Sequence, residues 1–293
     1  MSRLFVALQY LLPQHALSRV IHWATRIEAV WFKNLIIRVF VRAFKVDMSE
    51  ALDPDPTNYS HFNDFFTRAL AQGSRQLPPT KRSVACPVDG TISLSGRISR
   101  GKLIQAKDRR YLAADLLGDE RMAAEFEDGD FITIYLAPYD YHRIHMPVRG
   151  RLREMRYLPG RLFSVNAATV RSVPRLFARN ERVVCRFETD IGQLAMVLVG
   201  ALNVGSIETV WAGQVAPGRP RERAAVHYGE PATELSMGAE MGRFNMGSTV
   251  ILLFSRDRVQ LADDLTPGRV VRMGELIGRA TDRAADQPDR ESV

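Results

Sequence analysis

Gly247 and Ser248 stand together at the head of TVILLF (Thr249 to Phe254), a run of β-branched and apolar residues. Such a run suits a strand covered on both faces. A Gly-Ser pair there ordinarily makes a turn. It also puts a hydroxyl beside an unhindered peptide carbonyl, which Ser248 could attack. Serine is a weak nucleophile until a base takes its proton, and two histidines, His142 and His145, stand close together in APYDYHRIHMP. Their i, i+3 spacing gives one side of a helical turn or opposite faces of a strand. Pro138 and Pro147 bracket them, so the segment reads as a strand end or bent loop, where functional groups concentrate. A carboxylate that could orient an imidazole is available in CPVDGTIS as Asp89, although Val-Asp-Gly-Thr is equally a hairpin-turn signal. A metal would need a third ligand at helpful spacing, and none stands nearby, so no metal is expected.

These blocks occur in a telling order. FNDFFTRAL, CPVDGTIS, PYDYHRIHMP, LPGRLFSVN, LFARNERV, VGSIETVWAG and EMGRFNMGSTV follow one another as in the phosphatidylserine decarboxylases, and the chain resembles the bacterial proenzymes of that family over nearly its full length. The resemblance implies autocatalytic serinolysis. Ser248 would attack the Gly247 carbonyl with His145 as base and Asp89 orienting and charging the imidazole. The peptide would become an ester and β-elimination would split the chain into 1–247 and 248–293. Ser248 would then persist as a covalent pyruvoyl group, the one cofactor implied, which binds the substrate amine as a Schiff base. His142 is implied as proton donor, a role that suits an imidazole titrating near neutrality. In LPGRLFSVN, Phe163 is expected to line an apolar wall, with Ser164 or Asn166 on the headgroup. Where the family usually carries Leu-Gly-Ser-Thr, this chain has Met246-Gly247-Ser248-Thr249. Leu and Met are close in volume and polarity, so slower or unchanged processing is expected, not its loss. The implied partners are phosphatidylserine, an anionic membrane and the two chains for each other, with no nucleic acid; oligomeric state is open, a homodimer included.

The elements that must position these groups differ along the chain. Its 293 residues are 46% apolar and carry a net charge of +7. Residues 1–46 hold seven basic residues and one acid, so the remaining body is nearly neutral. The same arm is apolar and aromatic, with Trp23, Trp31 and Phe32, and Asn34, Arg38, Arg42 and Lys45 fall on one helical stripe. No apolar run reaches membrane-spanning length, and no secretory cleavage pattern follows a short apolar core. The arm therefore reads as helices lying in a membrane interface, with a helical hairpin packed on the protein's own core as the alternative. A peripheral location on the cytoplasmic face of the inner membrane is expected. Cys86 and Cys185 form no disulfide framework, which suits a reducing compartment. HFNDFFTRAL and LAADLLG read as short helices, and from TISLSG onward β-rich runs recur between turn signals. The fold class expected is α+β: a helical region over 1–77 packed on a mostly antiparallel β-sandwich or barrel-like catalytic body over 78–280, then a solvated tail over 281–293. A soluble pyruvoyl amino-acid decarboxylase would keep Ser248 but leave the basic arm without purpose. A self-cleaving membrane-binding β module without turnover would not need Asp89, His142 and His145 together.

Overall fold

The computed structural model describes residues 9–10, 12–106, 109–202, 206–216, 224–230, 232–246 and 248–282. Helix α1 (Gln14–Ala24) starts after Pro13, and α2 (Val30–Phe44) stops where Lys45 turns left-handed at φ 53°. Both are amphipathic. The inward face of α2 puts Ile36, Ile37, Phe40 and Val41 against Tyr59 and the short helix α3 (Phe62–Phe66). There Phe40 meets Phe62 edge-on at 5.1 Å. The outward face leaves Trp31, Leu35 and Val39 exposed at i, i+4, i+8, beside exposed Arg38, Arg42 and Lys45. Asn34, the fourth member of the expected stripe, is half-buried and accepts from Lys33 Nζ. No helix among the described residues is long and apolar enough to cross a membrane.

From residue 83 the chain is mainly antiparallel sheet. The large sheet contains β1 (Gly90–Arg97), β2 (Asp130–Leu136), β4 (Gly150–Leu158), β5 (Arg182–Thr189), β6 (Gly192–Val199) and β9 (Ser248–Phe254). Its inner order is β4-β5-β6-β9-β2-β1, every neighbour antiparallel. A four-stranded sheet contains β3 (Arg143–His145), β7 (Ile207–Thr209) and β8 (Glu240–Phe244), with 213–216 on its edge. The sheets form an open sandwich, not a closed barrel. Side chains alternate faces along a strand. Accordingly Val250 and Leu252 of β9 share a core with Ile144, Ile207 and Phe244 of the small sheet. Ile251 and Leu253 face the other way, onto the short helices Ala113–Leu117, Ala167–Ser172 and Leu176–Arg179. Because both faces are covered, all seven residues of β9 are buried, which is why its sequence is a continuous apolar run.

Candidate active site

Two chain crossovers between the sheets lie side by side. The first, 137–142, carries the chain from the end of β2 in the large sheet to β3 in the small one. The second runs back from Phe244, the last residue of β8, to Ser248, the first of β9. Ser248 pairs with Leu136 at the end of β2, and the Phe244 N–H donates to the His142 carbonyl at 3.0 Å. Histidines and serine a hundred residues apart in sequence thus share one corner of the sandwich. Ser248 is fully buried, and its Oγ has no hydrogen-bond partner. Its parity with Val250 and Leu252 aims it toward the small sheet. An unsatisfied buried hydroxyl costs roughly 1–3 kcal/mol, so this position is held against a real penalty. Gly247, whose carbonyl Ser248 is expected to attack, lies outside the described residues.

His145 sits in β3, and its N–H donates to the Pro87 carbonyl at 2.9 Å, which lays the loop leading to Asp89 against this strand. Gly90 is what lets that loop run straight into β1, since a Cβ there would stand 2.5 Å from the Tyr135 carbonyl oxygen. His145 Nδ1 lies 2.8 Å from the Gly238 carbonyl. A carbonyl only accepts, so Nδ1 carries the proton and Nε2 is bare. Nε2 in turn accepts from the Tyr141 hydroxyl at 2.9 Å. Burial pushes the His145 pKa below its ordinary value, with the Gly238 contact and the charges of Glu240 and Asp89 opposing. The imidazole is therefore a neutral base.

The orienting bond expected from Asp89 to this ring is made elsewhere. Asp89 accepts from Arg75 Nη2 at 2.7 Å and from the Met273 N–H at 2.7 Å. Arg75 also binds Glu50 at 2.9 Å, and Glu50 binds Arg272. A guanidinium fork and a backbone donor together take both carboxylate oxygens. The Gly238 carbonyl fixes the ring, and Asp89 acts on it through space as a negative charge that favours the imidazolium.

His142 is enclosed completely. Its Nδ1 donates to the Asp140 carbonyl at 2.8 Å, its ring centre is 4.0 Å from that of Phe66, and its Nε2 is buried without a partner. Desolvation pushes its pKa down to about 3, so the expectation of an imidazole titrating near neutrality is corrected. At pH 7 it is a neutral ring with an open acceptor. Nearby, burial pushes the Asp140 carboxyl up to about 6, against the lowering effect of the Ala137 N–H that it accepts.

A cavity of about 220 Å³ opens at this corner, lined by Leu136 and Met246 from the strand ends, by Phe40, Phe44 and Phe66 from the helices, and by Ser164. Of the three positions expected at the substrate, only Ser164 lines it. Phe163 is fully buried, its ring tilted against that of Tyr10 at 4.8 Å under the Arg179 guanidinium. The Asn166 side chain is occupied in capping helix Ala167–Ser172, accepting from Thr169 N–H and Oγ1. Tyr141, Arg75 and Gly238 were not singled out by the sequence. Tyr141 alone left a trace, standing immediately before His142 in YDYHRIH.

Comparison with known proteins bears on this corner. The sequence model described as phosphatidylserine decarboxylase matches residues 62–279, and one described as PSD matches 4–45. The chain is 57% identical over 255 residues to the phosphatidylserine decarboxylase proenzyme of Alkalilimnicola ehrlichii, covering 86% of this chain and 88% of that one. It is 53% identical over 287 residues to the proenzyme of the same name from Pseudomonas fluorescens, covering 97% and 99%. With that of Stutzerimonas stutzeri the identity is 54% over 288 residues, covering 97% of each.

Proposed function

Because the chain belongs to the phosphatidylserine decarboxylase family, we propose that it splits itself between Gly247 and Ser248 and then decarboxylates phosphatidylserine to phosphatidylethanolamine. The observation that carries this reading is the Ser248 hydroxyl: buried and unpartnered at the head of β9, where its pairing partner Leu136 lines an apolar cavity and the crossover carrying His142 runs alongside. In the self-cleavage, Ser248 Oγ loses its proton to His145 and adds to the Gly247 carbonyl, and the C–N bond breaks to leave an ester. The Tyr141 hydroxyl stands on His145 Nε2, so it must relay that proton or yield its place. Removal of the Ser248 α-proton then expels the Gly247 carboxylate, and water displaces ammonia from the residue left behind, giving the pyruvoyl group. Asp89, as a fixed negative charge, stabilises the imidazolium formed on the way.

The corner fits such a group: a rigid, dry strand end whose side-chain oxygen is not otherwise engaged, paired with Leu136, which lines the cavity. A pyruvoyl carbonyl supplies an electrophile for a primary amine and a sink for the electron pair left when carbon dioxide departs. His142, neutral and shielded, is suited to hand on a proton through Nε2 but not to store one at pH 7. The apolar wall of Phe40, Phe44 and Phe66 accepts acyl chain and excludes water from the carboxylate. Since Phe40 and Phe44 belong to the same helix whose outer face carries Trp31, Leu35, Arg38 and Arg42, a lipid lying in an anionic surface has a short path inward. We assign the protein a peripheral place on such a membrane, at the cytoplasmic face. Intact mass of the purified chain, with activity on phosphatidylserine vesicles against free serine, tests this. Ser248→Ala should remain a single chain without decarboxylase activity. Splitting at residue 247 in that variant would overturn the assignment.

A further inference from the structure

We propose that Asn63 and Asn245 form an amide clamp that holds the segment before Ser248 in its cleavable shape, so that helix α3 is a working part of self-cleavage and not only packing. The inference rests on the self-cleavage reading above. Asn63 is the second residue of α3, 7% exposed, and donates from Nδ2 to Asn245 Oδ1 at 3.0 Å. Asn245, 1% exposed, donates from its own Nδ2 to Ser206 Oγ, while its N–H donates to the Ser206 carbonyl at 2.9 Å. The helix end of the clamp is tied down in turn. The Asn63 N–H donates to the Thr25 carbonyl at 2.9 Å, and the Asn63 carbonyl accepts from Thr67 Oγ1 at 2.9 Å.

A second observation points from this clamp to the scissile peptide. Met246, between the clamp and Gly247, has φ 127°, a region that side-chain-bearing residues rarely adopt. Such a conformation persists only where its surroundings over-determine it, and then tends to serve a reaction. Here the clamp fixes Asn245 on one side, and the β9 ladder fixes Ser248 on the other. The Met246 side chain packs on the cluster formed by Phe62, Phe65 and Phe66, the residues around Asn63. One short helix therefore grips both residues that precede Gly247. Two apolar side chains could fill the same space without the desolvation cost of two side-chain amides. The amides add direction, and direction is what a peptide awaiting attack from a fixed hydroxyl requires. These are positioning residues, since neither is placed on the reacting atoms.

The test uses a change that keeps volume and reverses hydrogen bonding. Asn63→Asp turns the donor facing Asn245 Oδ1 into a carboxylate oxygen. Self-cleavage of the full chain, followed by the appearance of two masses, should slow about tenfold at about pH 8, the scale of a lost buried hydrogen bond. A buried carboxyl titrates high, so at about pH 5.5 it regains a proton and a donor, and the rate relative to the parent should climb back toward one. A purely structural defect would not recover in this way. The thermal midpoint is read separately in the uncleavable Ser248→Ala background. If Asn63→Asp does not fold, Asn245→Ala removes the clamp from the other side and should slow cleavage similarly. A parent-like rate in either variant, or an Asn63→Asp ratio that does not change with pH, overturns the clamp. A parent chain that never splits would instead sink the self-cleavage reading itself.

Discussion

Replacing Trp31 with Ala and Leu35 with Ser strips the outer face of α2 without entering the protein, because these side chains are 74% and 56% exposed. A tryptophan offers roughly 200 Å² of surface, so about 150 Å² of Trp31 is free to enter a bilayer. At about 25 cal/mol per Å² its full immersion is worth roughly 4 kcal/mol, and half-immersion about 2 kcal/mol. Leu35 adds about 1 kcal/mol on the same scale. The pair should therefore weaken partitioning onto phosphatidylserine-containing vesicles by about 3 kcal/mol, or roughly a hundredfold. Sedimentation with vesicles at fixed lipid reads this directly. Raising salt should weaken the parent further, as Arg38, Arg42 and Lys45 lie on the adjoining stripe, exposed beside these apolar groups. Self-cleavage should proceed at the parent rate, since neither side chain reaches the corner that holds Ser248. Vesicle binding within threefold of the parent, a threshold well below about 1.4 kcal/mol, together with a lower thermal midpoint, would refute the reasoning and mean that the face packs on protein.

The two histidines should separate in function: His145→Ala blocks the appearance of two chains, whereas His142→Ala splits but turns over phosphatidylserine poorly. The reverse pattern in mass and product assays would move the base to the other ring. The pH profile of self-cleavage follows from the lowered His145 pKa. A base held below its usual value stays unprotonated to lower pH, so the acid limb of the rate should fall below about 6.5, the free imidazole value. A limb centred above that value in a stopped-pH time course would contradict the desolvated environment.

Much of this was legible before any coordinates. β9 announced itself by an unbroken apolar run, because both its faces are covered, and α2 by its 3.6-residue spacing. The histidine segment read as a strand end since two prolines bound it, and it is a crossover leading into the three-residue strand β3. What sequence did not carry was competition among partners. CPVDGTIS offers Asp89 to any cation or donor, and Arg75, fourteen residues away in an otherwise unremarkable loop, reaches it. Nor can a sequence express that His142 is buried completely, with Phe66 packed on its ring, and that this burial holds the imidazole in its neutral form. Backbone groups such as the Gly238 carbonyl are invisible to motif reading, since every residue has one.

The place of β9 in the large sheet has a consequence for how the molecule ages. It is an interior strand, hydrogen-bonded along its length to β6 and β2 and buried at all seven residues. The proposed cut at its head would release a chain end but no strand, so the strand of the new fragment would stay threaded through the sheet of its partner. Folding would then become a one-way event. The intact chain can close this sheet with its neighbours in cis, whereas the two fragments, once separated, would have to meet as strangers and insert a greasy strand between two others. The mature protein would owe its lifetime to the height of the unfolding barrier, and each molecule would have a single opportunity to assemble.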